Sequence, residues 1–498
     1  MSAPSWVLAI DVGTASVRAV LFDRDGAPAA EAERDLDQHH PRDGWVEYNA
    51  EEIWTVCEDA LLDCLGEIGA PPREIAALGI ATQRETVVVW DRRTGRAIGP
   101  AIGWQDRRTA ARCAELDAAG HGPMVAARTG LFLDPSFSAT TLAWLLDTMP
   151  GARDAAERGE LAFGTLDTFL LWRLTRGRVH ATDPTNAART LLFDIQQQRW
   201  DPALLALFRI PASVLPQVLD CDADFGETHE EVLGAPVRIR CLIGDQQAAA
   251  IGQACLEPGM LKATFGSGAF LLLNIGDQPL RSRHRLQTTI AWRLGGKTAY
   301  AMEGAMLNAG TGLQWLSESL RLFDDPEQTA MLAATANAAR PVYFVPAFNG
   351  LGAPYWDAEA RGAILGLSRM TGPAELVRAA LEAACYRTRD VLEALAQDGG
   401  QMASVLRVDG GLASNDWAMQ FLADILNIPV ERPVVMQTAA IGAAWIAGST
   451  LGFYPGLAQR PAHWQRDRLF EPRMGDVDRS RLYAGWLDAI RRVRSASA

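Results

Sequence analysis

The chain has 498 residues, of which 48% are hydrophobic and 21% are charged, and its formal net charge is −13. This length exceeds the size at which one hydrophobic core stops growing, so we expect a globular protein with two domains. The negative charge argues against a nucleic-acid backbone as the main partner, and no apolar run approaches the roughly 18 residues of a membrane span.

The seven cysteines form no C-x-x-C pair, and most of them occur in apolar segments. Buried free thiols, and hence a reducing cytosol, fit this pattern. Asp11 interrupts the apolar run 6–10 too early for that run to be the apolar region of a signal peptide. The histidines lack metal-ligand spacing, so no structural zinc is expected. We therefore expect a cytoplasmic protein.

The first motif lies close to the N-terminus. Residues 6–11 and 17–23 are predicted to be the strands of a hairpin, joined by the small, hydroxyl-rich turn 12–16. Backbone N–H groups and hydroxyls of such a turn can surround phosphate oxygens. Asp11, just before the turn, could hold Mg²⁺ directly or through water. By itself this motif is weak, and an ordinary hairpin is the alternative.

A predicted helix (51–65) is followed by two predicted strands (75–80 and 87–90), with Arg84 and Glu85 between them. Adjacent opposite charges can donate to and accept from the vicinal hydroxyls of a polyol. A solvated strand connection is the alternative. Trp104, at the expected start of a helix near residues 102–108, could form a flat wall for an aliphatic ligand or belong to the core.

At the midpoint of the chain, an apolar run predicted to be a strand ends at Gly244 and Asp245, and a helix is predicted for residues 246–255. Open α/β sheets bind ligands at the carboxyl ends of their strands, and a helix start attracts negative charge. Asp245 is therefore well placed to act as a general base beside a phosphate. The alternative is that Asp245 only caps the helix.

The second half repeats the design of the first. Residues 260–264 and 269–274 are predicted to form a hairpin around the Gly/Ser turn 265–268, which suggests a duplicated fold that holds a nucleotide between two lobes. Two paired strands are expected at 288–292 and 298–302, and a helix is expected to open at Glu303, with Gly310 and Gln314 one turn apart on it. A strand over 405–409 ends at Gly410 and Gly411, where adenine or ribose could approach the backbone, although a simple turn is equally compatible.

In combination, these segments resemble the motifs of the FGGY carbohydrate kinases, and the resemblance extends along almost the whole chain. Within that family it is most similar to the members that phosphorylate glycerol. The motifs that carry the resemblance are Asp11-Val12-Gly13-Thr14, Gly44-Trp45-Val46-Glu47, Thr82-Gln83-Arg84-Glu85-Thr86, Gly244-Asp245-Gln246-Gln247, Gly350-Leu351-Gly352-Ala353-Pro354 and Val408-Asp409-Gly410-Gly411.

The resemblance implies an α/β fold of two actin-like ATPase (ribonuclease H-like) domains with a cleft between them, here residues 1–252 and 253–498. It implies ATP-dependent phosphorylation of glycerol to sn-glycerol 3-phosphate in glycerol catabolism, with ATP and Mg²⁺, without nucleic acid or membrane, and often as a homodimer or homotetramer. The catalytic base would be Asp245. The substrate-binding residues would be Arg84, Glu85, Trp104, Ser136, Asp245, Gln246 and Phe270. The nucleotide would be bound by Thr14, Ala15, Ser16, Arg18, Ser267, Gly310, Gln314, Gly411 and Asn415, and Asp11 would be associated with the metal.

The chain departs from the family pattern at several positions. Ser136 replaces a tyrosine that contacts glycerol, Ala15 replaces a hydroxyl residue, and Pro236 replaces an arginine used to bind fructose 1,6-bisphosphate. Loss of one neutral hydrogen bond weakens binding by roughly 0.5–1.5 kcal/mol, so glycerol could still bind, or the vacated volume could admit a longer polyol. A kinase for another polyol or ketose, such as erythritol or a pentulose, is therefore one alternative. The other is an actin-like ATPase that acts on a protein partner.

Overall fold

The computed structural model describes residues 4–337, 339–398 and 403–495. The strands are β1 (Trp6–Val12), β2 (Ser16–Phe22), β3 (Pro28–Asp35), β4 (Glu47–Tyr48), β5 (Ile75–Thr82), β6 (Val88–Asp91), β7 (Ala101–Ile102), β8 (Leu161–Gly164), β9 (Ala181–Thr182), β10 (Phe193–Asp194), β11 (Arg199–Trp200), β12 (Gln217–Val218), β13 (Ile239–Gly244), β14 (Leu261–Phe265), β15 (Ala269–Gly276), β16 (Gln287–Leu294), β17 (Lys297–Met306), β18 (Tyr343–Val345), β19 (Ala363–Leu365), β20 (Leu406–Asp409), β21 (Val430–Pro433) and β22 (Arg466–Phe470).

The helices are α1 (Ala50–Glu67), α2 (Ala110–Ala118), α3 (Gly122–Thr129), α4 (Ser138–Thr148), α5 (Ala152–Glu157), α6 (Leu166–Leu174), α7 (Pro184–Ala187), α8 (Pro202–Phe208), α9 (Glu230–Leu233), α10 (Asp245–Gly252), α11 (Thr311–Glu318), α12 (Gln328–Thr335), α13 (Pro373–Gln397), α14 (Asp416–Leu426), α15 (Thr438–Ser449), α16 (Arg460–His463) and α17 (Asp476–Val493). No helix of the described ranges is long and apolar enough to cross a membrane.

The fold is built on two large sheets with the same internal order. The first is five-stranded, β13-β5-β1-β2-β3, and the second is seven-stranded, β16-β17-β15-β14-β20-β21-β22. In each sheet a central strand (β1 or β14) pairs antiparallel with the next strand along the chain and parallel with a later one. The predicted hairpins and the predicted duplication of an actin-like, ribonuclease H-like unit are therefore confirmed.

The parallel strands align their carboxyl ends. Val12 of β1 and Gly244 of β13 both pair with Thr82 of β5, and in the second sheet Thr264 of β14 pairs with Asp409 of β20. The segments that follow these strands therefore emerge along one edge of each sheet, which is where ligands bind in open α/β sheets.

Two boundaries differ from the sequence expectation. Glu303 does not open a helix, because it lies inside β17, opposite Leu272 and Gln287, and α11 begins only at Thr311. The segment around Trp104 is a turn, and α2 starts at Ala110. In both places the sequence carried a Gly near charged or polar residues, which is compatible with either a strand end or a helix start.

Helix α15 connects the two halves of the chain. It comes from the second half but packs against strand β5 of the first sheet and against α10, through small residues. A Cβ atom at Gly442 would lie 1.9 Å from the carbonyl oxygen of Ala248, and one at Gly79 would lie 2.5 Å from that of Ala443. The expected domain boundary between residues 252 and 253 falls between the two sets of strands and stays a prediction.

We expect Gly442→Ala to destabilise the protein by about 1–3 kcal/mol, because the added methyl group must displace the backbone of α10. The measurement is unfolding in denaturant. Gly66→Ala is the matched control: a Cβ there meets nothing within 4 Å in an exposed turn of α1, so stability should stay unchanged or rise. Equal stabilities of the two variants would contradict the close contact of α15 with α10.

Candidate active site at the carboxyl ends of the strands

Asp245 lies at the joint between β13 and α10, as the sequence predicted. The helix is preceded by Gly244 as its N-cap, with no side-chain cap, so Asp245 is the first helical residue rather than the N-cap. Its side chain is 22% exposed, and its Oδ1 lies 3.4 Å from Nε of Arg84. The backbone N–H of Gln246 donates to Oδ1 (2.6 Å) and the side-chain amide of Gln246 donates to Oδ2 (3.1 Å). The carboxylate is therefore oriented from three directions and still open to a ligand.

The residue before this carboxylate is held from a neighbouring helix. The backbone N–H of Gly244 donates to Oγ1 of Thr185 (2.8 Å), and that hydroxyl donates to the buried carboxylate of Asp183. Burial raises the pKa of Asp183 above its ordinary value. This chain of bonds anchors the end of β13 and so limits the movement of Asp245.

Arg84 and Glu85 belong to a buried network of four charges. The Arg84 guanidinium binds the carboxylate of Glu303, and Arg189 contacts both Glu303 (3.0 Å) and Glu85. All four side chains are at most 7% exposed, so the alternative of a solvated connection is wrong. Burial alone would raise the pKa of Glu303, but the positive charges of Arg189 and Arg84 lower it; burial raises the pKa of Glu85 although the same arginines oppose it.

Glu303 and Arg189 were missed by the sequence reasoning. Glu303 is a single carboxylate within an apolar run of β17, and Arg189 follows the short helix α7. A lone charged residue in an apolar strand must find a buried partner, and this signal could have identified Glu303. Its partners could not be identified, because they come from distant parts of the chain.

Trp104 and Phe270 form an aromatic corner beside this network. Their rings meet edge to face with centroids 5.9 Å apart, and the Arg84 guanidinium carbon lies 5.5 Å from the Phe270 centroid. The indole N–H of Trp104 donates to Oγ1 of Thr14 (3.0 Å). Trp104 therefore connects the predicted acceptor pocket with the first phosphate turn.

Ser136 lies two residues before Ser138, whose hydroxyl donates to the backbone carbonyl of Glu85 (2.7 Å). The Ser136 hydroxyl and backbone N–H both bind Oδ1 of Asp134, at 2.5 and 2.9 Å. The serine hydroxyl is therefore occupied within its own turn, next to the segment that supports Glu85.

The first turn presents its backbone in a fixed orientation. The carbonyl of Gly13 accepts from Gln83 (2.8 Å), and the carbonyl of Thr14 accepts from Tyr48 (3.0 Å) and Gln38 (3.1 Å). These bonds occupy two oxygens whose partial negative charge would repel phosphate.

The other predicted residues of this turn have different surroundings. Ala15 is exposed, whereas Ser16 donates to Glu33 (2.8 Å) and Arg18 pairs with Glu31 (2.9 Å) and Glu33 (2.8 Å). Ser16 and Arg18 thus lie beside the turn with partners on β3, and contact with a nucleotide would require them to exchange these partners.

Asp11, at the end of β1, fits a cation. Its Oδ1 is buried without a hydrogen-bond partner in the described ranges, and burial together with the negative charge of Asp245 raises its pKa to about 7. A cation would supply the missing partner. Among the described residues no cluster of three or more His, Cys, Asp or Glu side chains could hold a metal, so water and phosphate would have to complete the shell, as Mg²⁺ prefers.

Five of the predicted nucleotide-binding residues share one cavity in the second half. It has a volume of about 690 Å³, which is in the range of small-molecule sites, and it is lined among others by Ser267, Gly310, Gln314, Gly411 and Asn415. Ser267 is exposed, Gln314 donates to Glu318 (2.9 Å), and Asn415 caps α14 while donating to Thr329 (2.9 Å).

Gly410 has φ +85°, and a Cβ there would lie 2.4 Å from the Phe265 carbonyl oxygen, so only glycine lets β20 end beside the second turn.

Comparison with known proteins agrees with this arrangement. The N-terminal domain of the FGGY family of carbohydrate kinases matches residues 6–252, and the C-terminal domain of that family matches residues 261–451. The chain belongs to the FGGY family of carbohydrate kinases.

Several relatives are similar to this FGGY kinase over its full length. A protein named glycerol kinase from Ectopseudomonas mendocina and one named glycerol kinase 1 from Pseudomonas aeruginosa are each 54% identical over 98% of this chain and 99% of their own. Among solved structures, that of Plasmodium falciparum glycerol kinase with ADP has a TM-score of 0.90 at 32% identity and covers 99% of both chains.

We expect Glu303→Gln to destabilise this FGGY kinase by about 3–5 kcal/mol, because Arg84 and Arg189 lose their shared counter-charge in a buried site. The measurement is unfolding in denaturant. In the control Glu393→Gln, the carboxylate lost is 49% exposed and pairs with Arg389 at 3.3 Å, so the cost should stay below about 1 kcal/mol. Similar losses in both variants would mean that the network contributes no more than a surface pair.

Proposed function

We propose that this chain catalyses the ATP-dependent phosphorylation of glycerol to sn-glycerol 3-phosphate. The choice of glycerol is carried by the 54% identity, over 98% of the chain, with proteins named glycerol kinase. The geometry supports the reaction class, because a partly exposed carboxylate and a buried guanidinium lie together at the carboxyl ends of the strands of the first sheet, next to its hydroxyl-rich turn.

The acceptor polyol is assigned to the corner formed by Arg84, Glu85, Trp104, Gln246 and Phe270. Arg84 offers donors and Glu85 offers acceptors to neighbouring hydroxyls, while the two aromatic rings contact the carbon chain. Because Glu303 and Arg189 hold Arg84 and Glu85 in place before the substrate arrives, little side-chain entropy is lost on binding.

The chemical step assigns proton transfer to Asp245. As the terminal hydroxyl oxygen of glycerol forms a bond to the γ-phosphorus, its proton moves to the carboxylate of Asp245. The bond from the γ-phosphorus to the β,γ-bridging oxygen breaks, and ADP leaves with the electron pair of that bond. A positioned general base contributes about 10²–10⁴-fold to such a step.

The nucleotide is assigned to the cavity lined by Ser267, Gly310, Gln314, Gly411 and Asn415, with its phosphates directed toward the two turns. The residues of the first turn, Thr14, Ala15, Ser16 and Arg18, would contact the phosphates from the opposite lobe. Asp11 would hold Mg²⁺, which when bound neutralises charge on the phosphate oxygens. Closure of the two lobes excludes water, which would otherwise compete with the polyol.

A cytoplasmic location is the companion proposal. All seven cysteines are buried free thiols in the structure, which suits a reducing compartment, and the cytoplasm supplies ATP.

A kinase for a longer polyol or a ketose is the second candidate, and Ser136 is the observation that favours it. A coupled assay with MgATP and glycerol, erythritol, ribulose, xylulose or no acceptor separates the two. We expect the highest kcat/KM with glycerol. A higher value with another acceptor would favour the second candidate, and turnover that never exceeds the rate without acceptor would overturn both in favour of an ATPase with a protein partner.

We expect Asp245→Asn to abolish turnover while calorimetry still detects ATP binding, because the amide preserves the size of the side chain but cannot accept the proton. Asp277→Asn, at an exposed position of the second half, is the control and should retain full activity. Retained turnover in Asp245→Asn would remove Asp245 from its proposed role.

Ser136→Tyr should lower the KM for glycerol by about 2- to 10-fold, since one restored hydrogen bond contributes roughly 0.5–1.5 kcal/mol. Ser136→Ala is the matched control and should leave this KM unchanged, because the serine hydroxyl is bound to Asp134. Initial rates over a range of glycerol concentrations give both values. An unaltered KM in the tyrosine variant would show that position 136 does not limit glycerol binding.

A further inference from the structure

The chain uses lysine very sparingly. Of its 47 lysine and arginine residues only two are lysines, Lys262 and Lys297. Lys297 is exposed at the start of β17, whereas Lys262, the second residue of β14, is completely buried. Burial of an ammonium group is costly unless its surroundings compensate it, so a lysine retained at this position calls for a specific explanation.

The partners of Lys262 are neutral. Its Nζ donates to the amide oxygen Oε1 of Gln246 and to Oγ1 of Thr264 (2.7 Å). Within the described ranges no carboxylate oxygen lies within 4.0 Å of Nζ. Lys262 is therefore not one half of a buried ion pair, and its position is explained instead by what its two partners do.

Gln246 transmits the position of Lys262 to the proposed base. An amide has an acceptor oxygen at one end and a donor nitrogen at the other, and an ammonium can only donate. Lys262 therefore holds the Gln246 oxygen Oε1 toward its own ammonium group. The Gln246 nitrogen Nε2 then points toward Asp245 and donates to Oδ2 (3.1 Å). With the amide reversed, its oxygen would face the Asp245 carboxylate and repel it.

Thr264 connects the same ammonium to the phosphate side of the site. It is the residue before the second turn, 265–268, and it pairs in the sheet with Asp409. The electrostatic surroundings agree with this placement: burial lowers the pKa of Lys262, while the negative charges of Asp409 and Asp245 counteract that effect. A single cation thus contacts residues adjacent to both the base and the phosphate turn.

We propose that Lys262 is a positioning residue for phosphoryl transfer, which holds the Gln246 amide in the orientation that donates to Asp245. This proposal rests on the kinase activity proposed above. An arginine would not serve, because its planar fork is larger than an ammonium and cannot approach two acceptors as a point charge.

Lys262→Met, a neutral side chain of similar length, tests the proposal. We expect kcat to fall by about 10- to 100-fold, because the base loses its alignment, while the KM for ATP and calorimetric nucleotide binding change by less than about threefold. Lys297→Met, which removes the exposed lysine, is the matched control and should leave both constants unchanged. A kcat within twofold of the parent in Lys262→Met would overturn the proposal.

A double-variant cycle identifies the route of the effect. If Lys262 acts through Gln246, then Lys262→Met should cause no further loss of kcat in a Gln246→Leu background. If instead the loss of kcat in the double variant equals the product of the losses in the two single variants, the ammonium acts independently of Gln246, for instance directly on phosphate. That result would overturn the proposal.

A spectroscopic measurement keeps the test independent of how Lys262→Met folds. With ¹⁵N-labelled lysine the protein has only two side-chain ammonium groups to observe. Gln246→Leu should shift the signal of the buried group and leave that of Lys297 in place, whereas an unmoved buried signal would contradict the contact. The proposed function is tested separately, by measuring turnover of the parent enzyme with the acceptor panel. The Lys262 variants are then compared with the parent on the acceptor that the parent phosphorylates.

Discussion

The Arg84 guanidinium is the interaction on which the arrangement of the cleft depends. It lies between Asp245, which starts α10, and Glu303, which lies in the second sheet, so one side chain links the proposed base to the second half of the chain. Because Arg84 and Glu303 are buried, neither can lose its partner without leaving a charge in a medium of low polarity. The geometry of the acceptor site is therefore enforced by electrostatics as well as by packing.

The duplicated topology places a small, phosphate-compatible turn at the same point of each sheet. Each sheet places its hairpin turn at the carboxyl end of its parallel strands. Helix α15 packs on β5 and on α10 through residues too small to separate the backbones, and its contact with Ala248 lies only three residues after Asp245 on α10. Any relative movement of the two lobes must either preserve the contact of α15 with α10 and β5 or occur by bending around it.

The buried charged network and the turn that carries Ser136 are supported in different ways. Arg84, Glu85 and Asp245 are supported by buried partners on several elements, whereas Ser136 belongs to a short turn and bonds only locally to Asp134. A substitution in such a turn can change the local space without disturbing the buried charges. This division is consistent with a family that phosphorylates several carbohydrates on one fold.

Local patterns in the sequence were sufficient to predict the hairpins, the strand–helix joint at Asp245 and helix α1, because each depends on periodicity and on small residues within a few positions. Arg84 and Glu85 stood out in the sequence only as an adjacent charged pair, and nothing local predicts that Arg84 lies beside Asp245. Glu303 was even assigned to the wrong element, because a Gly after a charged residue suits a helix start as well as a strand. Only the tertiary structure decided that Glu303 meets Arg84 and Arg189, and that Lys262 meets Gln246. These contacts join positions up to 219 residues apart, and their partners are selected by the requirement that every buried charge find a counter-charge or a hydrogen-bond partner, which no short segment of sequence can express.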